Sequence, residues 1–125
     1  MKVIKLIITV ILLMFVVSEA NSQTFKIVGY EDYSNHSQNW KQKDKAKYLG
    51  TQITMEFYQN DVKLHSAADN SNVVLTNVSP NRYEAKNGND LAILLLTTWV
   101  KYIKRGELCV YRDGKIRVKI LLERD

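Results

Sequence analysis

The chain has 125 residues, a formal net charge of +5, one cysteine and one proline. That length admits a single domain, and one cysteine excludes an internally disulfide-stapled scaffold, so the fold must rest on its hydrophobic core. The mild positive charge permits an acidic partner without requiring one.

In chain order, the first segment reads as a leader rather than as part of the fold. Lys2 and Lys5 form a positive start, residues 6–17 are apolar apart from one Thr, and small residues follow around Ala20 and Ser22. The apolar run is short of the roughly twenty residues that a helix needs to span a bilayer. Residues 1–22 are therefore expected to be a signal peptide, with a retained anchor as the competing reading. Residues 23–125 are expected to form one exported domain, placed in the periplasm, at the cell surface or outside the cell, and a bacterial source fits best. Cleavage would remove Lys2, Lys5 and Glu19 and lower the net charge from +5 to +4.

Next comes "NWKQKDKAKYLG", residues 39–50, with Lys41, Lys43, Lys45 and Lys47 at every second position. On an extended segment the four ammonium groups project to one side, flanked by Trp40 and Tyr48. Such a comb could bind an acidic glycan, lipid head groups or an acidic protein. The plainer reading is a lysine-guarded edge strand or a solvated loop. Nucleic acid is disfavoured, because the aromatics do not alternate with the lysines as a base-stacking platform requires.

"TQITMEFY" alternates Ile53, Met55 and Phe57 with polar neighbours, and "VKLHS" repeats the pattern after "QND", so a hairpin is expected over residues 51–66. "NVVLTNV" and "RYEAK" follow, joined by a turn at Ser79-Pro80-Asn81. The apolar stretch over 91–105 has two readings. As a helix, Asp90 caps its start and Gly106 its end. As a strand, Asn87-Gly88 turns back into "LAILLLTT", and Thr97, Thr98, Trp99 and Val100 weaken helix propensity. The balance favours a strand over 91–98, followed by a turn or short helical piece through Arg105. At the C-terminus, Asp113-Gly114 is a two-residue turn pairing Arg112 with Lys115. Strict alternation from that pair puts Cys109, Tyr111, Ile116, Val118 and Ile120 on the core face. Leu108, Val110, Arg117 and Lys119 fall on the other.

These elements make the domain mainly β. The expectation is a small antiparallel sandwich or a partly open barrel of about 6–8 strands, becoming α+β if 91–105 holds a helix. In "SQTFKIVGY", "ITMEFYQNDVKL" and "ELCVYRDGKIRVKILLE" the chain resembles the small exported all-β proteins of Bacteroidetes, lipocalin-like or sandwich-like. The resemblance implies a compact antiparallel domain and carries over no functional residue; the Gly-x-Trp of the first lipocalin strand is absent.

No catalytic constellation stands out. Cys109 lies mid-strand among apolar residues, where desolvation raises a thiol pKa and disarms it. His36 and His65 are the only histidines, and His65 with Asp69 has a spacing that converges on a helix but not on a strand. No metal or cofactor is therefore expected. Glu56, Asp61, Asp69 and Glu84 supply carboxylates that hydrolysis would need in pairs, but nothing in the sequence singles out two of them. The function expected first is a non-catalytic exported binding module for an anionic surface polymer or a protein, acting through Trp40, Lys41, Lys43, Lys45 and Lys47. The alternative is a lipocalin-like carrier of a small apolar ligand, and a small hydrolase ranks last.

Overall fold

The computed structural model describes residues 22–35, 37–99 and 102–125. The expected leader falls outside these residues except for Ser22, and so does His36. Among the described residues there are eight strands and one helix: β1 Ser22–Asp32, α1 Gln38–Tyr48, β2 Gln52–Phe57, β3 Asp61–Ser66, β4 Asn72–Ser79, β5 Arg82–Asn87, β6 Asp90–Trp99, β7 Tyr102–Arg112 and β8 Lys115–Arg124. Each strand pairs antiparallel with the next, and β8 returns to β1 to close a barrel. The mainly β antiparallel domain expected from the sequence is thus a barrel, and a closed one. No helix among the described residues is long and apolar enough to cross a membrane.

Closure depends on β1, whose two halves face different partners. Ser22 to Lys26 run against β2, and Phe25 to Asp32 run against β8, with the register slipping between Ile27 and Gly29. The extra residue there lets one strand bend between two neighbours, as β-bulges do at barrel corners. An eight-stranded barrel is just wide enough to be filled by side chains or to hold one small ligand.

Inward-pointing residues follow the alternation of β2 and β3. Ile53, Met55, Val62 and Leu64 are buried, while their neighbours are at least partly exposed. The end of the barrel bearing the β2–β3, β4–β5 and β6–β7 turns is packed solid. Phe25, Met55, Val62, Leu75, Leu94 and Leu122 are all fully buried there. Gly106 belongs to this plug: a Cβ on it would lie 3.3 Å from the Met55 methyl and 3.5 Å from Leu96 and Leu122. A side chain there would crowd the Met55 methyl, which would have to give by a few tenths of an ångström, and touch both leucines.

Three sequence expectations are corrected. The β7–β8 hairpin begins as expected, with Arg112 opposite Lys115 and Tyr111 opposite Ile116, but the next pair is Val110 with Val118. Arg117 is the extra residue of a bulge, and beyond it the two strands are out of the strict alternation. Leu108 and Val110 therefore share the interior with Val118, Ile120 and Leu122. Cys109 sits on the outer face, buried between Glu107 and Lys119, and its thiol pKa is raised chiefly by desolvation. Residues 91–99 are strand, and the short helical piece proposed up to Arg105 is strand from Tyr102 onward; Val100 and Lys101 lie outside the described residues.

The third correction concerns the lysine comb, which lies on the helix. Ser37 caps α1 by accepting a hydrogen bond from the Trp40 N–H at 3.4 Å. Lys, Gln and Ala are good helix formers, and Lys45 and Lys47 suit the negative end of the helix dipole. Period-two lysines are ambiguous on their own; the cap and the dipole decide for helix.

The turn at Asp113-Gly114 needs left-handed backbone, with Asp113 at φ 53° and Gly114 at φ 77°. Asp tolerates this region and Gly favours it. Gly114→Ala is therefore expected to lower stability by about 1 kcal/mol, read as a shifted urea midpoint with an unchanged slope.

Candidate functional site

The other end of the barrel is not filled. A cavity of 270 Å³ opens there, walled by Ile27, Ile53, Leu64, Val73, Leu108 and Val110, with Val118, Ile120 and Leu122 completing it. Its floor is the packed plug. Among the described residues no polar or charged side chain is buried, so the interior offers apolar surface alone. Polar groups gather only at the rim, where Tyr30, Tyr48, Ser66, Asp69 and Ser71 line the opening.

The β1–β2 connection brings Tyr48, the last residue of α1, to this rim. Helix α1 buries none of its residues and is held by its last turn. There Tyr48 stacks on Tyr30 of β1 with ring centroids 5.4 Å apart and planes 18° from parallel. Backbone bonds from Gly50 N–H to the Ile27 carbonyl and from Ile27 N–H to the Thr51 carbonyl, both 2.9 Å, fasten the exit of the helix to β1. Opposite the helix, the β3–β4 loop supplies Asp69. Its carboxylate accepts hydrogen bonds from the Ser71 N–H at 3.1 Å, the Ser71 hydroxyl at 2.6 Å and the Tyr48 hydroxyl at 3.3 Å. Helix and loop thus meet across the mouth through one phenol and one carboxylate.

The charges at the mouth follow from these contacts. Burial, with Asp44 and Asp32 nearby, pushes the Tyr30 phenol up to about 12, so it stays neutral in any physiological solution. The Ser71 hydroxyl is the main cause of a lowered Asp69 pKa, so Asp69 is ionised at neutral pH. Among the described residues it is the only charged one lining the cavity.

A pH effect follows with a defined sign. The folded pKa of Asp69 lies below its ordinary 3.8. Its contribution to holding loop and helix together is therefore complete above that value and fades as pH falls through the lowered one. Tyr48 ring resonances followed by NMR are expected to report loosening only on the acid side of the carboxylate range. Asp69→Asn should erase that transition.

One seam of the wall is thinly paired. The β4–β5 ladder covers only Thr76 to Ser79 against Arg82 to Glu84, whereas Ala85, Lys86 and Asn87 are paired on the β6 side. Toward the open rim, β4 beside the cavity-lining Val73 has no ladder to β5. Barrels breathe most readily where ladder hydrogen bonds are missing.

The residues expected from the sequence to bind a partner are dispersed. On α1, Lys41 and Lys45 are four apart on one face, and Lys43 and Lys47 on another, so the one-sided comb does not form. Lys43 Nζ lies 5.2 Å from the Trp40 ring centroid, and Lys47 Nζ the same distance from that of Tyr48. Of the four carboxylates considered for hydrolysis, only Asp69 lines the cavity; Glu84 is paired with Arg82 and Glu56 accepts from Tyr58. His65 is hydrogen-bonded to Asn72 at 2.9 Å. Among the described residues no three His, Cys, Asp or Glu side chains are placed to hold a metal ion.

Sequence reasoning placed Val118 and Ile120 of β8 inward, where they line the cavity, but missed its β7 wall, Leu108 and Val110, and the Tyr30–Tyr48 latch. Nothing local in the sequence pointed to Tyr48 as the partner of Tyr30, eighteen residues away. Comparison with protein-family models, curated proteins and solved structures gave no match, so the geometry carries the functional argument.

Proposed function

We propose that this protein is a carrier of a small, mainly apolar ligand, held in the open end of the barrel, where α1 ends. One observation supports the reading above all: a 270 Å³ cavity with apolar walls, closed below by a packed core and polar only at its rim. Pockets that bury small molecules have this build, an apolar lining with a few polar groups to set orientation. The lipocalin-like resemblance of the sequence points the same way.

Size and charge narrow the ligand. At about 30 Å³ per water-sized group, the cavity takes about nine non-hydrogen atoms. If most are methylenes at about 0.8 kcal/mol each, burial supplies roughly 7 kcal/mol, so before the cost of immobilising the ligand the dissociation constant is on the order of 10 μM at its tightest. The head group lies at a rim of phenols, hydroxyls and one carboxylate. That set favours a hydrogen-bond donor or a cation and repels an acid.

Octylamine, octanol and heptanoate are matched in size and differ in the head. Calorimetric titration should give saturable one-to-one binding of octylamine and octanol with a negative heat-capacity change. Heptanoate should bind at least about tenfold more weakly than the amine, the equivalent of 1.4 kcal/mol. The carrier reading fails if none of the three saturates. The head-group assignment fails if the acid binds as well as the amine.

A further inference from the structure

We infer that the closed end of the barrel, opposite the cavity, is a docking surface for an anionic lipid headgroup layer. The β6–β7 hairpin is longer than its neighbours. The β5 ladder ends at Arg82 opposite Leu95, while β6 continues to Trp99, paired with Tyr102. The three to four residues beyond Leu95 project about 10 Å past β5 at strand rise.

The tip carries two large aromatic side chains in solvent, Trp99 at 58% and Tyr102 at 44% exposure. Each has a cation beside it: Lys104 Nζ lies 5.2 Å from the Trp99 ring centroid, and the Arg124 guanidinium 5.1 Å from that of Tyr102. Trp and Tyr are the residues that settle at the headgroup level of a bilayer, and Lys and Arg supply attraction to anionic lipid. Between Asp90 and Glu107 the sequence holds Lys101, Lys104 and Arg105 and no acidic residue. In space Arg105 is paired with Glu123 at 3.5 Å, and Asp125 lies at the same place, so the attraction to a negative surface rests on Lys104 and Arg124 beside the two rings.

A second observation agrees. Ser22, where residues 1–21 join the barrel, pairs with Glu56 at this same end, and that stretch carries the apolar run 6–17. Were that stretch retained as an anchor, the competing reading to cleavage, it would present this end to the membrane; after cleavage the hairpin alone carries the docking. The cavity mouth then faces water. The inference does not depend on the carrier reading, since it concerns the opposite end of the molecule.

The two tryptophans stand at opposite ends, Trp40 on α1 and Trp99 on the hairpin, so fluorescence can report orientation. In the full chain, Trp40→Phe leaves Trp99 as sole emitter and Trp99→Phe leaves Trp40. Vesicles of phosphatidylglycerol with brominated acyl chains should quench Trp99 and leave Trp40 bright, and brominated phosphatidylcholine vesicles should quench Trp99 far less. Lys104→Glu, an exposed change, should weaken the Trp99 response about fivefold or more without altering the far-UV spectrum. The inference is overturned if Trp99 stays bright on phosphatidylglycerol, as it would if the N-terminal stretch alone held the chain or if the hairpin served a protein partner. It is equally overturned if both tryptophans quench alike, or if charge reversal has no effect.

Discussion

Phe25→Ala is expected to cost about 3–5 kcal/mol, the range for removing a large aromatic from a rigid core. The ring is fully buried, and its residue is where the barrel closes: on one side Phe25 pairs with Ile53 of β2, on the other with Arg124 of β8. The hole would form among Met55, Leu94 and Leu122, held in place by ladders on every side, so collapse can refill it only in part. A domain of this size has about 5–15 kcal/mol in total, so the variant should be near the edge of folding. Urea unfolding followed by circular dichroism measures the loss. A cost under about 1 kcal/mol would mean that the closed end is not the packed core described above.

Enlarging the wall at the open end should act with the opposite sign on stability and remove binding. Val118 lines the cavity and pairs with Val110 across the hairpin. Val118→Phe puts a ring into space that no side chain occupies. Overpacking, which normally costs about 1–3 kcal/mol, is relieved because the volume is already there. Stability should hold or rise by about 0.5–2 kcal/mol, as cavity-filling changes do. Octylamine binding should fall at least about tenfold, or 1.4 kcal/mol. Full binding in a folded Val118→Phe protein would place the ligand outside the barrel and sink the carrier proposal. The pair of substitutions tests the two ends of the interior separately: one end is packed, the other is walled by apolar side chains around an open volume.

Much of the fold was legible because strand formation is locally encoded. Ile53, Met55 and Phe57, then Val62 and Leu64, alternate in the sequence as they do on the barrel wall. Pro80-Asn81, Gly88 and Asp113-Gly114 mark turns because few residues other than Gly, Asn and Asp accept the backbone those turns need. What misled was each place where a neighbour distant in sequence overrules the local pattern. The bulge at Arg117 cannot be seen in "GKIRVKILL", since either phase of the alternation buries apolar side chains. The register that wins is the one that also lets β8 pair with β1, about ninety residues away. In the same way, four lysines at period two read as an extended comb until Ser37 is seen to cap a helix and Tyr30 to receive Tyr48.

The candidate site was less legible than the fold. Trp40 and the lysines were chosen because charge and aromaticity are visible in a sequence, whereas a cavity is a volume left over after all side chains are placed. No residue announces it. Its apolar wall consists of ordinary strand residues that could as well have met in the middle, as they do at the closed end.

By itself, then, the sequence determined that the domain is built of antiparallel strands, where most of them turn, and that its stability rests on apolar burial rather than on disulfides. These follow from nearest-neighbour chemistry, side-chain alternation and turn conformation. Only the tertiary structure decided that the sheet closes, which face of β7 points inward, that the basic segment is a helix ending at the mouth, and that one end of the interior is left unfilled. Those outcomes depend on the β1–β8 pairing and on the summed volume of residues from every strand, and no local stretch carries that information.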